Sequence, residues 1–466
     1  RPMADPRGVR GGSVPGYLRR EWSAATVTAC PILVPVSFAA GGSILDDLLA
    51  RGLVQDSTDR EALRERLDAG PVTLYCGFDP TADSLHVGHL VPLLTLRRFQ
   101  DAGHRPVALA GGATGMIGDP SGRSEERNLL AGEELSTNVA AVAAQLRAFL
   151  RFDDLGTGDQ AALLLDNREW TVGVEVLEFL RRVGKHVTVG TMLAKESVKA
   201  RLSGDQGLSF AEFSYMLLQA NDFYELHQRH GCELQVGGSD QWGNITAGID
   251  LIRRRSAAPV HGLTVPLVTR ADGAKFGKTA EGAVWLDPAR TLPYEFHQYF
   301  LNVDDRDVER FLLQLTLVSV ADVAGVMAAH EAAPEERVAQ NRLADEVTTL
   351  VHGAGQTARA RLAAVGLFGS EQPTLEVLEA IRGIVPESTV SAADLDGDES
   401  LVDALVVSGL CSSKGDARRT IKGGGVSVNG LRQDTDVAVL PPDSALGGRF
   451  VLLQKGRRNR HLLVLA

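Results

Sequence analysis

The chain has few cysteines, four in 466 residues, and their spacing forms no recognisable pattern. Cys30, Cys76, Cys232 and Cys411 lie far apart without a C-x-x-C pair, which argues against a zinc knuckle and against a disulfide-stapled scaffold. No segment recurs at a fixed period, which argues against a repeat protein. The sequence also has no uninterrupted apolar run of membrane-spanning length. The cysteine pattern fits a reducing compartment, and we expect a cytoplasmic protein.

Basic residues are outnumbered over most of the chain, but not at its carboxyl end. The formal net charge of −11 argues against a wholly basic nucleic-acid-binding protein. From Leu401 onward, however, ten lysines and arginines stand against five acids. The last segment is therefore basic, which leaves room for a local module that binds nucleic acid.

Three interpretations stay open for residues 1–42. Arg19-Arg20 followed by an apolar stretch over 24–40 is typical of a secretory signal, although Pro31 and Pro35 interrupt it. The many arginines and scarce acids also fit an organellar presequence. We expect a disordered leader or extension, because leucines at helical spacing begin only after residue 43.

The patterns that follow residue 70 predict a parallel α/β sheet. Residues 72–78 have the character of a buried strand, 87–100 of a helix and 105–110 of a second strand. This alternation is typical of Rossmann-like sheets, which bind ligands at the carboxyl ends of their strands. From about 293 to 364 the pattern is helical almost throughout, which predicts a separate all-α domain.

The motif His86-Val-Gly-His89 stands between a predicted strand and a predicted helix. A helix amino terminus has unpaired N–H groups and a positive dipole end, so it attracts anions such as phosphate. Gly88 permits close approach, and two imidazoles add hydrogen-bond donors. Taken alone, paired histidines at a helix start are as often core or surface residues.

A second motif, Lys275-Phe-Gly-Lys-Thr279, follows the last predicted strand. Two lysines three residues apart on a loop could close on a triphosphate and neutralise the charge of departing pyrophosphate. An ordinary solvated lysine loop is the alternative. The order of the two motifs in an α/β sheet is similar to the HIGH and KMSKS signatures of class I aminoacyl-tRNA synthetases.

Four longer stretches make the resemblance more specific. They are Tyr75-Cys-Gly-Phe-Asp-Pro-Thr-Ala-Asp-Ser-Leu-His86, Gly111-Gly-Ala-Thr-Gly-Met-Ile-Gly-Asp-Pro-Ser-Gly122, Phe213-Ser-Tyr-Met-Leu-Leu-Gln219 and Val236-Gly-Gly-Ser-Asp-Gln-Trp-Gly-Asn244. They resemble bacterial tyrosyl-tRNA synthetases, from about residue 44 to the end. The resemblance implies a tyrosine–tRNA ligase that uses ATP with Mg²⁺, acts on tRNA(Tyr) and forms a homodimer through helices between about 150 and 200.

The resemblance also implies a domain order and a set of site residues. The expected domains are a catalytic α/β domain over 43–288, a helical anticodon-side domain over 289–366 and a small α+β RNA-binding domain over 399–466. Between the last two, residues 367–398 are expected to form a linker, because the end of this segment is rich in serine, aspartate and glycine. The residues implied for catalysis on the polyphosphate are His86, His89, Lys275, Lys278, Thr279, Arg123 and Arg127. Those implied for tyrosine are Tyr75, Asp119, Tyr215, Gln219, Asp222 and Gln241. Those implied for ATP are Cys76, Gly77, Asp79, Gly88, Gly238, Asp240, Leu267, Val268 and Lys278. No metal site formed by protein side chains alone is expected.

The basic carboxyl-terminal segment has a helix, glycine turn and hairpin pattern over 412–430, with Asn429-Gly430 at its turn. It resembles a small RNA-binding fold of the ribosomal small subunit. The residues expected to contact tRNA are Lys414, Arg418, Arg419, Arg457 and Arg458. A solvated basic face is the alternative.

Three rival functions each fit part of the sequence. A small-molecule adenylyltransferase would share the histidine motif but would not need the basic tail or the helical domain. A tryptophanyl-tRNA synthetase would share more of these motifs than the adenylyltransferase, although Tyr75 with Asp222 suits a phenol better than an indole. A non-catalytic RNA-binding paralogue would not need both histidines and both lysines.

Overall fold

The computed structural model describes residues 42–121, 132–152, 158–203, 207–279, 282–369, 372–395, 397–434, 436–441 and 443–466. Nearly all of the expected leader lies outside these ranges, and so do Arg123 and Arg127. Within the described ranges, no helix combines the length and the apolar character needed to cross a membrane.

A six-stranded sheet forms the first domain, in the order β1-β6-β5-β2-β3-β4. Its strands are β1 (Asp56–Ser57), β2 (Thr73–Phe78), β3 (Arg105–Ala110), β4 (Leu163–Asp166), β5 (Cys232–Gly238) and β6 (His261–Val265). All neighbouring pairs are parallel except β1 with β6. Because β2 lies between β3 and β5, the strand order reverses at the β2–β5 pair, where sheets of this kind bind ligands.

Helices connect the strands of this sheet and pack around it. They are α1 (Ile44–Ala50), α2 (Arg60–Asp68), α3 (Leu90–Asp101), α4 (Gly132–Phe149), α5 (Arg168–Thr171), α6 (Val176–Arg182), α7 (Val189–Leu193), α8 (Glu196–Leu202), α9 (Phe210–His230) and α10 (Trp242–Ser256). The predicted helix that follows the histidine motif is α3, and ten of its twelve residues are buried. Pro92 is tolerated there because the first turn has no backbone hydrogen bond to lose.

The helical domain packs directly on the sheet domain. After the short hairpin of β7 (Lys278–Thr279) and β8 (Gly282–Ala283), it contains α11 (Pro293–Leu301), α12 (Asp305–Leu315), α13 (Val320–Ala332), α14 (Val338–His352) and α15 (Ala354–Phe368). One apolar core continues from α3 into α11 and α12. Buried Arg51 and Arg98 of the first domain donate to the Leu313 carbonyl near the end of α12. Such contacts satisfy carbonyls that a helix end leaves unpaired.

The expected linker over 367–398 is wrong as drawn. Within it lie α16 (Leu375–Ala380) and β9 (Glu387–Val390), and β9 pairs in parallel with β13. The other elements of this domain are α17 (Ser400–Val407), α18 (Lys414–Lys422), β10 (Val426–Val428), β11 (Leu431–Arg432), β12 (Phe450–Lys455) and β13 (Asn459–Leu465). Polar composition misled the prediction, because a short edge strand is completed by a partner more than seventy residues away.

The carboxyl-terminal sheet has two apolar faces. Val451, Leu453 and Leu463 pack with α17 and α18 in one cluster. Phe450 and Leu452, on the opposite face, pack with α15 and α16 in another. The last domain is therefore joined to the helical domain by a shared apolar core. The order of an α/β, an all-α and an α+β domain agrees with the expectation.

Candidate active site

The predicted site residues gather at the carboxyl ends of β2 and β5, where the strand order reverses. Tyr75, Cys76 and Gly77 lie on β2, and Asp79 follows its end. Gly238 closes β5 and is followed by the helical turn Ser239–Gln241. The sheet therefore brings distant stretches of sequence to one edge.

The histidine motif forms the first turn before α3. The Gly88 N–H donates to His86 Nδ1 at 3.1 Å, and the His86 N–H donates to His89 Nδ1 at 3.1 Å. The two rings stack with centroids 4.0 Å apart. A neutral imidazole that accepts at Nδ1 carries its proton on Nε2, so each ring presents an Nε2–H donor. Burial, with the neighbouring His86, lowers the pKa of His89 to about 3, which keeps this ring neutral at physiological pH.

The lysine loop runs from the end of the sheet to the β7–β8 hairpin. Lys275 is exposed, and its backbone forms an isolated antiparallel β-bridge with Thr269, whereas Phe276 is buried. The backbone of Lys278 and Thr279 forms β7. Gly277 has a φ of +82°, and a Cβ there would lie 2.4 Å from Val87 Cγ2. The loop therefore touches the histidine motif at a position that only glycine fits.

Asp79 lies at the centre of one polar cluster. Its carboxylate accepts from Thr114 Oγ1 at 2.9 Å and from the Tyr215 hydroxyl at 2.9 Å. Gly111 lies against it, and a Cβ there would come within 2.2 Å of Asp79 Oδ1. Burial, followed by the charges of Asp79 and Asp119, raises the pKa of Tyr215 well above its usual value. Tyr215 therefore stays a neutral donor.

Asp119 anchors a second cluster beside the first. Its carboxylate accepts from Gln241 Nε2 at 2.6 Å, and Asn244 Nδ2 donates to both Gln241 Oε1 and Gln219 Oε1. The structure thus brings together Asp119, Gln219 and Gln241. Asn244 ends the 236–244 stretch, and its role in linking Gln219 with Gln241 appears only in three dimensions.

The deepest part of the site contains Tyr75 and Asp222. The Tyr75 ring lies 5.4 Å from the Phe223 ring, and its hydroxyl is buried without a hydrogen-bond partner among the described residues. Asp222 accepts from Trp170 Nε1 at 2.7 Å and from Asn167 Nδ2 at 3.0 Å. Burial, followed by the negative charge of Asp222, raises the pKa of Tyr75 well above its usual value.

Burial also decides the charge of Asp222. It raises the pKa of this carboxyl to about 7, although the hydrogen bonds from Asn167 and Trp170 oppose the shift. Sequence reasoning missed both donors. Asn167 directly follows β4, and a polar residue at the end of a parallel strand is a usable signal. Nothing local singled out Trp170.

The residues expected near the nucleotide surround the end of β5. A Cβ on Gly238 would lie 2.7 Å from Asp240 Oδ1 and 3.1 Å from Leu267 Cδ2, so these two side chains pack directly against the Gly238 backbone. Burial first, and Asp119 second, raise the pKa of Asp240, while Lys275 opposes the shift. Burial and Asp240 raise the pKa of Cys76 to about 12. Leu267 is exposed, whereas Val268 is buried.

The carboxyl-terminal basic residues are exposed but partly paired. Lys414 lies 2.6 Å from Asp403, and Arg418 lies 2.6 Å from Glu399. Arg419 has a looser contact with Asp416 at 3.8 Å, and its side chain is 76% exposed. Arg457 and Arg458 lie in the exposed turn between β12 and β13. Helix α18 therefore has less unpaired positive charge than its sequence suggests.

Comparison with known proteins gives two family matches. Residues 67–369 match the model for "tRNA synthetases class I (W and Y)". Residues 378–463 match the model for a "Tyrosine--tRNA ligase SYY-like C-terminal domain". The second match begins inside the segment that we had expected to be a linker.

Whole-chain relatives agree with these models. The chain is 52% identical over 427 residues to a tyrosine–tRNA ligase of Roseiflexus castenholzii, covering 91% of this chain and 99% of the relative. It is 50% identical over 419 residues to one of Mycobacterium tuberculosis, covering 90% and 98%.

Solved structures give the same fold. A C-terminally truncated mitochondrial tyrosyl-tRNA synthetase of Aspergillus nidulans aligns with a TM-score of 0.63 at 32% identity, over 70% of this chain and 94% of that one. A tyrosyl-tRNA synthetase of Archaeoglobus fulgidus complexed with L-tyrosine aligns with a TM-score of 0.51 at 15% identity, over 67% and 99%.

Proposed function

The chain belongs to the tyrosine–tRNA ligases among the class I aminoacyl-tRNA synthetases, and on this premise we propose how its residues divide the work. Members of the family activate the amino acid and then charge tRNA. In the first step the tyrosine carboxylate attacks the α-phosphorus of ATP, and pyrophosphate leaves. The nucleophile belongs to the substrate, so the protein contributes orientation and charge stabilisation.

The histidine motif and the lysine loop are proposed to act on the polyphosphate. The Nε2–H groups of His86 and His89 would donate to phosphate oxygens beside the start of α3. Lys275 and Lys278, with Thr279, would offset the charge that develops on departing pyrophosphate. Arg123 and Arg127 are proposed to assist from a segment outside the described residues.

The tyrosine substrate is proposed to enter with its phenol deepest in the site. Tyr75 and Asp222 would bind the phenol hydroxyl, and this proposal rests chiefly on the buried Tyr75 hydroxyl, which has no hydrogen-bond partner among the described residues. Phenylalanine would leave these polar groups unpaired, which is costly in a buried pocket. The substrate ammonium would be held by the polar clusters above, whose members are Asp119, Tyr215, Gln219 and Gln241.

ATP is proposed to bind along the end of β5 and the start of β2. Gly238 and Asp240 would meet the ribose, with Cys76 beside it. The remaining contacts would come from Leu267 and Val268 at adenine and from Gly77, Asp79 and Gly88 nearby. These assignments are supported by the packing of Asp240 and Leu267 against the Gly238 backbone at the end of β5.

Mg²⁺ is proposed to arrive with the nucleotide. The described residues contain no group of three or more His, Cys, Asp or Glu side chains that could hold a metal ion. Mg²⁺ is commonly held by one or two carboxylates together with substrate phosphates, and Asp79 and Asp240 fit that limited role. When bound, the ion would offset part of the polyphosphate charge.

The tRNA is proposed to contact the basic carboxyl-terminal domain. Arg419, Arg457 and Arg458 are exposed cations, and Lys414 and Arg418 could exchange their acidic partners for phosphates. The 3′ end would then reach the adenylate at the sheet edge. We place this reaction in the cytoplasm, where ATP and tRNA are available.

A second copy of the chain is the proposed partner of the surface formed by α5 to α8. Several large apolar side chains are exposed there: Val172, Val176, Leu177, Leu180, Val189 and Leu193. So many large exposed apolar side chains within one segment of the chain favour an interface there. Sedimentation analysis of Leu177→Asp, which should yield monomers, tests the homodimer.

Tyrosine-dependent ATP–pyrophosphate exchange is the direct test of the proposed substrate. We expect exchange with tyrosine and far less with phenylalanine or tryptophan, followed by charging of tRNA(Tyr) with tyrosine. Faster exchange with tryptophan would contradict the assignment of Tyr75 and Asp222.

A further inference from the structure

The centre of the lysine loop is attached to the helical domain. The Gly277 N–H donates to the Tyr299 hydroxyl at 2.7 Å, and Tyr299 lies on α11. The preceding residue, Phe276, is 6% exposed and packs among rings of α11 and α12. Its centroid lies 5.1 Å from that of Tyr299 and 4.2 Å from that of Phe311.

The opposite side of the same residue touches the histidine motif. At Gly277 the nearest atom to a built Cβ is Val87 Cγ2, and Val87 lies between the two histidines. The Gly277 carbonyl accepts from the Val284 N–H at 2.9 Å. Gly277 is thus wedged between α11 and the His86–His89 turn, with a lysine two residues before it and another directly after it.

We propose that Tyr299 is a positioning residue for the reaction, which holds the lysine loop in register with the histidine motif through its hydrogen bond to Gly277. The inference rests on the proposed action of Lys275 and Lys278 on the polyphosphate. An exposed lysine loses rotational freedom when it engages a phosphate, so a backbone fixed beforehand lowers that cost. The helical domain thereby contributes to adenylate formation without touching the substrate.

The protonation state of Tyr299 suits this role. Burial raises the pKa of its hydroxyl, while the hydrogen bond from Gly277 and the charge of Arg270 oppose the shift. The hydroxyl stays protonated at neutral pH, and its oxygen accepts the backbone N–H. Asp307 on α12 reinforces the attachment, because its carboxylate accepts from the Ala271 N–H at 2.8 Å at the start of the loop.

Tyr299→Phe is the sharpest test, because it removes the hydroxyl and keeps the ring in the aromatic cluster. We expect kcat for ATP–pyrophosphate exchange to fall about three- to tenfold, the usual effect of losing one hydrogen bond. KM for tyrosine should stay within about twofold, because the proposed tyrosine site does not include the loop. Tyr294→Phe is the matched control, since Tyr294 lies on the same helix but packs against the carboxyl-terminal domain.

A combined variant separates this inference from the proposed function. In a Lys275→Ala/Lys278→Ala background, Tyr299→Phe should cause almost no further loss, because no lysine remains to be positioned. An undiminished further loss there would overturn the positioning role, as would full activity of Tyr299→Phe alone. Full activity of the double lysine variant would instead overturn the proposed role of the loop, and the inference with it. A fall in kcat with a matching rise in KM for tyrosine would also refute it.

Discussion

Replacing Tyr75 by phenylalanine should affect stability and activity in different directions. The ring is 1% exposed and packs in the cluster with Phe223, which phenylalanine would preserve. The hydroxyl is buried without a partner among the described residues, and such a group costs about 1–3 kcal/mol. Its removal should therefore leave the free energy of unfolding unchanged or raise it by as much as ~2 kcal/mol.

The same change should weaken the use of tyrosine. If the Tyr75 hydroxyl binds the substrate phenol, its loss removes one neutral hydrogen bond, about 0.5–1.5 kcal/mol. That corresponds to a roughly two- to twelvefold lower kcat/KM for tyrosine. Phenylalanine has no hydroxyl to lose, so its kcat/KM should stay constant or rise. The ratio of the two values therefore falls.

Two measurements on one preparation decide the matter. Chemical denaturation gives the free energy of unfolding, and pyrophosphate exchange gives kcat/KM for each amino acid. Tyr224→Phe is the matched control, because Tyr224 packs against the same apolar cluster. An unchanged tyrosine-to-phenylalanine ratio would show that specificity resides elsewhere. A loss of stability above about 1 kcal/mol would show that the hydroxyl has a partner in the unliganded protein.

Three further predictions test other parts of the site. Lys275→Ala and Lys278→Ala should each raise the barrier to adenylate formation by about 2–4 kcal/mol with little change in tyrosine affinity; a collapse of tyrosine binding would make the loop structural. Burial raises the pKa of Asp222 to about 7, so ionisation of this carboxyl should increase kcat/KM for tyrosine as the pH rises through about 7, and the stability that the bound proton contributes to the folded state should be lost over the same rise. Trp170→Phe removes a 2.7 Å hydrogen-bond donor to the carboxylate and should move the midpoint of this pH profile to a higher pH. A pH profile unaffected by Trp170→Phe would refute the assignment. A chain lacking residues 370–466 should retain pyrophosphate exchange and lose tRNA charging; equal loss of both would contradict separate roles for the domains.

Local sequence was sufficient wherever structure depends on near neighbours. The His86–His89 turn is built from residues within three positions of one another. The alternation of strand and helix likewise predicted a parallel sheet, because each element shows its own apolar period. Family resemblance then named the substrate, which neither periodicity nor charge could have done.

Tertiary structure alone decided which distant groups meet. Trp170 and Asn167 reach Asp222 across more than fifty residues, and Tyr299 reaches Gly277 from another domain. These partners lie outside any local period, since each contact depends on how whole strands and helices pack. The prediction of a linker over 367–398 was wrong for the same reason. β9 is too short and polar to be recognised as a strand from sequence, and its pairing with β13 appears only in the folded structure.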